Sequence, residues 1–315
     1  MGERALLADE IMPKLDISAF PEIINDYIEA FPDIEQFITR IDLKYFQFIK
    51  TNDSLSNKFE NIRENIKNQI VKFFNIDRIG VDDLHHYPQL KAFIKQIPRE
   101  ATILTLNYDC VLDQGLYLSQ RWSPDGGYLL PSFPFEEKEK QKNHDIENIL
   151  LLKPHGSVNF RVFSEKLAEE IKLKDIKTII IEITDKIFPK IHAIINSPQY
   201  SDFIAVSPYV LVMTYLKVYE NGILQIWSKA IEELKIADKL TIIGCSLREE
   251  DTFLRFVLRH FGEKKNKKDF IIEIIDPNEL IWKKIKKELI QKRLVCNPEN
   301  HNVKTFKSLD DYLTA

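Results

Sequence analysis

Apolar residues along this chain fall into two periodicities, and the change between them divides it. Through residues 1–100 the spacing is helical. PDIEQFITRI (32–41) sets Ile34, Phe37, Ile38 and Ile41 on one face, with Asp33 placed to cap the first turn. SLSNKFENIRENIKNQIVKFF (54–74) repeats the stripe at Phe59, Ile62, Ile66, Ile70 and Phe73, with charges on the other side. LKAFIKQI (90–97) adds a short amphipathic piece that ends at Pro98. Such stripes predict a helical layer packed through its apolar faces.

Beyond residue 100 the apolar positions form short continuous runs instead. Strands are predicted at 102–106, 148–153, 178–183, 204–206, 239–244 and 270–276. Continuous rather than alternating runs mark strands covered on both faces, as in parallel sheets. An amphipathic helix over 218–238 leads into the strand at 239, and 251–261 is a helix leaving it. The predicted fold is therefore α/β: a Rossmann-like parallel sheet with helices on both faces and a helical N-terminal layer. Residues 1–100 form that layer and 101–315 the core, interrupted by a charged insertion around 129–148 and a mixed one at 161–205. The two parts read as one continuous domain.

Composition narrows the class. With 315 residues, 44% of them hydrophobic and 29% charged, the chain can bury a large core. No run approaches the roughly 20 apolar residues that a membrane helix needs, and no secretory leader stands at the start. The three cysteines are widely spaced, too few for a four-cysteine zinc site. A cytoplasmic protein without membrane contact is expected. A formal charge of −4 gives no general attraction to nucleic acid, so none is expected as a partner.

Candidate chemistry gathers where strands end, the place at which open α/β sheets bind ligands. Asn107 and Asp109 follow the run at 102–106. An amide there suits a ribose hydroxyl or a held water, and the pair equally suits a tight turn. His155, in Lys153-Pro154-His155-Gly156-Ser157, offers an imidazole that titrates near neutrality; a purely structural histidine fits the same place. Gly244-Cys245-Ser246 forms a strand-to-helix turn with Asp251 opening the next helix, suited to phosphate or ribose. Cys245 has no histidine nearby in the sequence and reads as a small packing residue. Asp276-Pro277-Asn278 closes the strand at 270–276, as a ribose contact, a helix cap, or both. His85 and His86 lack a third ligand at usable spacing, so no metal site is expected.

In order and spacing, TLNYD (105–109), KPHGSVNF (153–160), ADKLTIIGCSLREED (237–251) and IIDPN (274–278) resemble the SIR2-like family, the prokaryotic branch related to sirtuins. PYVLVMTYLKVYENGILQIW (208–227) resembles that family's approach to its Gly-x-Ser strand. The resemblance implies NAD⁺ as substrate and cleavage of its nicotinamide–ribose bond, an NAD⁺ glycohydrolase. It places Asn107 and His155 as catalytic residues and Asp109, Gly244, Ser246 and Asn278 around NAD⁺. Without the family's zinc module, peptide deacylation is not expected. The family's opening strand and Gly-Ala-Gly-x-Ser loop are missing before Gly2–Glu10. The alternative is therefore a catalytically impaired module that binds NAD or ADP-ribose, or serves in assembly. Family members often act in anti-phage defence and often form homo-oligomers, which the resemblance extends to this chain.

Overall fold

A computed structural model describes residues 8–30, 33–74, 87–130, 132–133, 149–162, 179–182, 208–210, 214, 221–248, 251–263 and 269–315. The helical stripes form as predicted. Asp33 caps the helix Ile34–Phe48, its carboxylate accepting the backbone N–H groups of Glu35 at 2.9 Å and Gln36 at 3.1 Å. Ile34, Phe37, Ile38 and Ile41 are buried. The helix Asp53–Phe74 buries Phe59, Ile62, Ile66 and Ile70, with Phe73 partly buried against the same core and Phe74 extending the stripe. Positions three and four beyond Ile70 share its face.

Two sets of parallel strands make the α/β part. In the first, β1 (Thr102–Leu104) pairs with β3 (Leu150–Leu152), Leu104 opposite Leu152. In the second, β7 (Lys239–Ile243), β8 (Phe270–Ile275) and β9 (His301–Phe306) lie side by side in that order. The helix Thr252–Leu258 connects β7 to β8, and Glu279–Lys286 lies between β8 and β9. A third, mixed sheet runs β2 (Ser132–Phe133), β5 (Ile179–Glu182), β4 (Gly156–Val162), β6 (Pro208–Val210). The fold is thus α/β with parallel sheets and helices, as its apolar runs predict.

β8 shows why continuous runs mean parallel strands. Phe270, Ile272, Ile274 and Ile275 are all buried, and so is Glu273 between them. That carboxylate accepts from the Thr241 hydroxyl at 3.0 Å and pairs with Lys239 at 2.7 Å, so its burial is compensated. Both parallel sheets and the helices Pro88–Gln96, Asn221–Ile236 and Thr252–Leu258 contribute to one apolar core. A second core holds the N-terminal helices together with Tyr108, Cys110, Val158 and Val210. Residues from the loop after β1 and from β4 and β6 therefore anchor the helical layer to the sheets.

Several expectations differ in detail. β2, β4, β6 and β9 are strands that the apolar pattern does not mark. The expected strand at 204–206 and the pair His85–His86 lie outside the described residues. Among the described residues, no helix is long and apolar enough to cross a membrane.

Candidate functional site

The strand ends converge at one contact between an imidazole and a carboxylate. His155, within the turn that joins β3 to β4, sets its Nε2 3.6 Å from Asp251 Oδ1. Asp251 stands at the N-cap of Thr252–Leu258, where a carboxylate would ordinarily accept a backbone N–H of its own helix, yet no such bond is made. It faces the imidazole instead. One contact thus joins the carboxyl ends of the two parallel sets. Both side chains are largely buried, and the indole of Trp227 lies edge-on to His155 with centroids 6.3 Å apart.

Behind His155 lies a sealed polar network. Lys153 and Asp113 have 0% and 1% exposed side chains and approach to 3.2 Å. The Lys153 ammonium also donates to the backbone carbonyl of Asp109. Tyr128 donates its hydroxyl to Asp113, and Asn159 reaches the Tyr128 oxygen at 3.4 Å. Burial opposes the charged ammonium, but Asp113, with Cys110 and Asp109 adding to it, outweighs that and raises the lysine pKa. Burial pushes the Asp113 carboxyl up, with Lys153 working against it. The network clamps the loop after β1 to the end of β3.

That loop is held at several further points. Thr105 N–H continues the β1–β3 ladder to the Leu152 carbonyl at 2.9 Å. Tyr108 is buried against Phe74, and its carbonyl accepts from Ser157 Oγ at 3.1 Å and from Val158 N–H at 2.9 Å. Asp109 Oδ1 accepts the Val111 N–H at 3.0 Å, a turn role. Asn107 is exposed at the tip, its backbone N–H bonded to Thr105 Oγ1 at 3.2 Å. Gly156 is indispensable to this geometry: its φ is +80°, and a Cβ there would sit 2.3 Å from the Tyr209 carbonyl oxygen.

The second set supplies the other wall. Gly244 follows β7 with φ +57° and open space where a side chain would stand. Its N–H donates to the Ile275 carbonyl at 3.0 Å, so the turns after β7 and β8 lie together. Asp276 Oδ1 accepts the Asn278 N–H at 2.8 Å, and Asn278 Oδ1 accepts the Leu280 N–H at 2.9 Å. Ser246 lies half-buried in the turn after Gly244. Burial drives the thiol of Cys110 up to about 12 and raises that of Cys245, so neither is a ready thiolate nucleophile.

The structure therefore places Asn107, Asp109 and His155 at adjoining strand ends, and Gly244, Ser246 and Asn278 at the neighbouring pair. Lys153, Asp113, Tyr128 and Asn159 are additional members that the strand-end motifs do not single out, and Asp251, read there only as opening a helix, joins them. One signal for Lys153 is present in the sequence: a lysine closing the apolar run ILLL, where burial demands a partner. Among the described residues, no cluster of His, Cys, Asp and Glu is arranged to hold a metal.

Comparison with known proteins finds relatives of a different kind from those suggested by the motifs. The chain is 26% identical over 262 residues to the ribosomal RNA small subunit methyltransferase A of Borreliella burgdorferi strain ZS7, covering 81% of this chain and 86% of that protein. The same values hold for the protein of that name in strain ATCC 35210. The one from Borreliella afzelii strain PKo is 25% identical over 263 residues. No family profile matches the chain.

These relatives overturn the SIR2-like resemblance and what hung on it: NAD⁺ as substrate, glycohydrolase chemistry, the NAD- or ADP-ribose-binding or assembly alternative, and a defence role. The geometry explains why the motifs misled. Asp109, Asp276 and Asn278 each accept a backbone N–H in a turn or cap, so parallel strand ends select these residue types whatever the ligand. The exclusion of nucleic acid does not stand either, because relatives named for ribosomal RNA share most of the chain. A net charge of −4 averages over the whole surface and is silent about any one face.

Proposed function

We propose that this chain is a methyltransferase acting on ribosomal RNA with S-adenosylmethionine as methyl donor. The observation that carries the reading is the similarity to the Borreliella enzymes across 81% of the chain. The geometry agrees with it in kind. β7, its helix and β8 form a βαβ unit with an open glycine turn after the first strand and Asp276 after the second. A carboxylate at the second strand end suits the hydroxyls of an adenosyl ribose, so the donor set fits the adenosyl half of the cofactor. The turn contains one glycine, so few backbone N–H groups converge there, and Ser246 is the side chain best placed to supplement them.

S-adenosylmethionine supplies, when bound, an electrophilic methyl on a sulfonium sulfur. The chain's own residues orient and enclose. Asn107 presents an exposed carboxamide at the tip after β1, a group that can pair with a base edge through one donor and one acceptor. Asp251 holds the imidazole of His155 at the junction of the two sheets. Lys153 and Asp113 hold the loop bearing Asn107. Trp227 and Phe253, with ring centroids 5.4 Å apart, wall the junction with apolar surface. In this reading residues 1–100 are a supporting layer of the same domain, pinned through Tyr108.

Calorimetric titration with S-adenosylmethionine, together with transfer of a tritiated methyl group to small-subunit ribosomal RNA, tests the proposal. Binding is expected, weakened by Asp276→Ala. Failure to bind the cofactor, or binding of NAD⁺ in its place, would overturn it.

A further inference from the structure

The helix Glu279–Lys286 starts at the Asn278 cap and therefore springs directly from the turn after β8. Its inner side is apolar: Ile285 is fully buried, as is Leu289 just beyond it, and Trp282 donates its indole N–H to the Asp276 carbonyl at 2.7 Å. On the outside, Lys283, Lys284, Lys286 and Lys287 are all exposed. At 100° per residue these four cover nearly half the cylinder. None of them forms an ion pair with a described residue.

The neighbouring acids are already engaged. Glu279 pairs with Lys307 at 3.0 Å, and Glu288 pairs with Arg255 and, at 2.6 Å, with Lys292. Lysines three and four apart repel one another and weaken a helix when no acid intervenes. The helix dipole welcomes cations in the last turn, but it does not require that the acids be directed elsewhere. The face also adjoins the site, because the helix springs from the turn after β8, whose Ile275 carbonyl accepts the Gly244 N–H at 3.0 Å.

We infer that this lysine face is the docking track for the RNA phosphate backbone, leading the polynucleotide to the strand-end site. The inference rests on the proposed RNA substrate and adds where that substrate lies. Charge complementarity selects a polyanion. An anionic membrane is the poorer match, since a helix lying on a bilayer sinks an apolar face into it. Here the apolar face is spent in the core, and Leu280 alone among the helix's large apolar residues is exposed.

The test uses the full chain carrying K283Q, K286Q and K287Q, with Lys284 kept. Binding of a fluorescein-labelled fragment of small-subunit ribosomal RNA is followed by anisotropy across a salt series. Each lost phosphate contact lowers the slope of log K against log salt by about 0.7 for single-stranded RNA. A slope reduced by about 2 and at least a tenfold weaker affinity at about 0.1 M salt are expected, with the melting temperature and S-adenosylmethionine binding unchanged. Arginine at the same three positions should restore binding. RNA affinity and slope equal to wild type in the glutamine variant would overturn the track while leaving the methyltransferase reading intact. Binding of phosphatidylserine vesicles but not RNA by the unaltered chain would overturn it as well. Loss of S-adenosylmethionine binding by the unaltered chain would instead remove the reading beneath it.

Discussion

Lys153 and Asp113 face each other at 3.2 Å with both side chains sealed from solvent, and the same ammonium holds the Asp109 carbonyl. This pair joins the end of β3 to the helix Val111–Leu118, and so sets the loop between them. Removing one partner leaves a buried charge uncompensated, which costs about 3–5 kcal/mol. Lys153→Met is expected to lose that much stability in urea unfolding. Lys153→Met with Asp113→Leu should recover a large part of it, because no orphaned charge remains.

Two glycines with positive φ are expected to answer alanine differently. At Gly156 a Cβ would lie 2.3 Å from the Tyr209 carbonyl, so backbone must move; at Gly244 nothing lies within 4 Å. Gly244→Ala bears only the left-handed backbone penalty, about 1 kcal/mol. Gly156→Ala adds a clash with main chain and should fall well below it in thermal unfolding. Equal melting temperatures would contradict the geometry.

His301 gives the fold a pH dependence of definite sign. Its ring stacks on Phe261, with centroids 5.4 Å apart, and its Nε2 lies 2.7 Å from the Cys296 carbonyl, donating to it. Burial lowers its pKa from 6.5, against the opposing field of Glu299. The unfolded chain therefore takes up a proton more readily than the folded one. Stability from this group is present above pH 6.5 and is lost as pH falls from there through the folded pKa. Melting temperatures measured from pH 7.5 down to 5 should decline in the wild type, and decline less steeply in His301→Phe.

Asp251 forgoes its own helix cap to face His155. Asp251→Asn keeps the shape but removes the charge, and is expected to slow methyl transfer by about 10- to 100-fold through misplacement of the imidazole. The melting temperature should stay within a few degrees, since no cap hydrogen bond is lost. Transfer at the wild-type rate would remove Asp251 from the site.

Much of the architecture was legible without coordinates because it is local. Asp33 caps its helix, and Ile34, Phe37, Ile38 and Ile41 point inward, because 3.6-residue periodicity and capping operate over a single turn. β1, β3, β7 and β8 could be read from continuous apolar runs for the same reason. β9 could not: HNVKTF mixes half-buried and exposed residues on the edge of its sheet, and its polar positions hide the strand. β4 could not either, because Gly156, Ser157 and Asn159 interrupt its apolar character.

What the sequence determined by itself is the set of polar residues standing at strand ends, since turns and helix starts select Asn, Asp and Gly locally. It did not determine their meaning, because the same residues serve as caps with any ligand or none. Tertiary structure alone decided that His155 meets Asp251 and that Lys153 meets Asp113. Those encounters depend on which strands lie side by side, and strand neighbours are chosen by burial of the whole core rather than by any short stretch of chain.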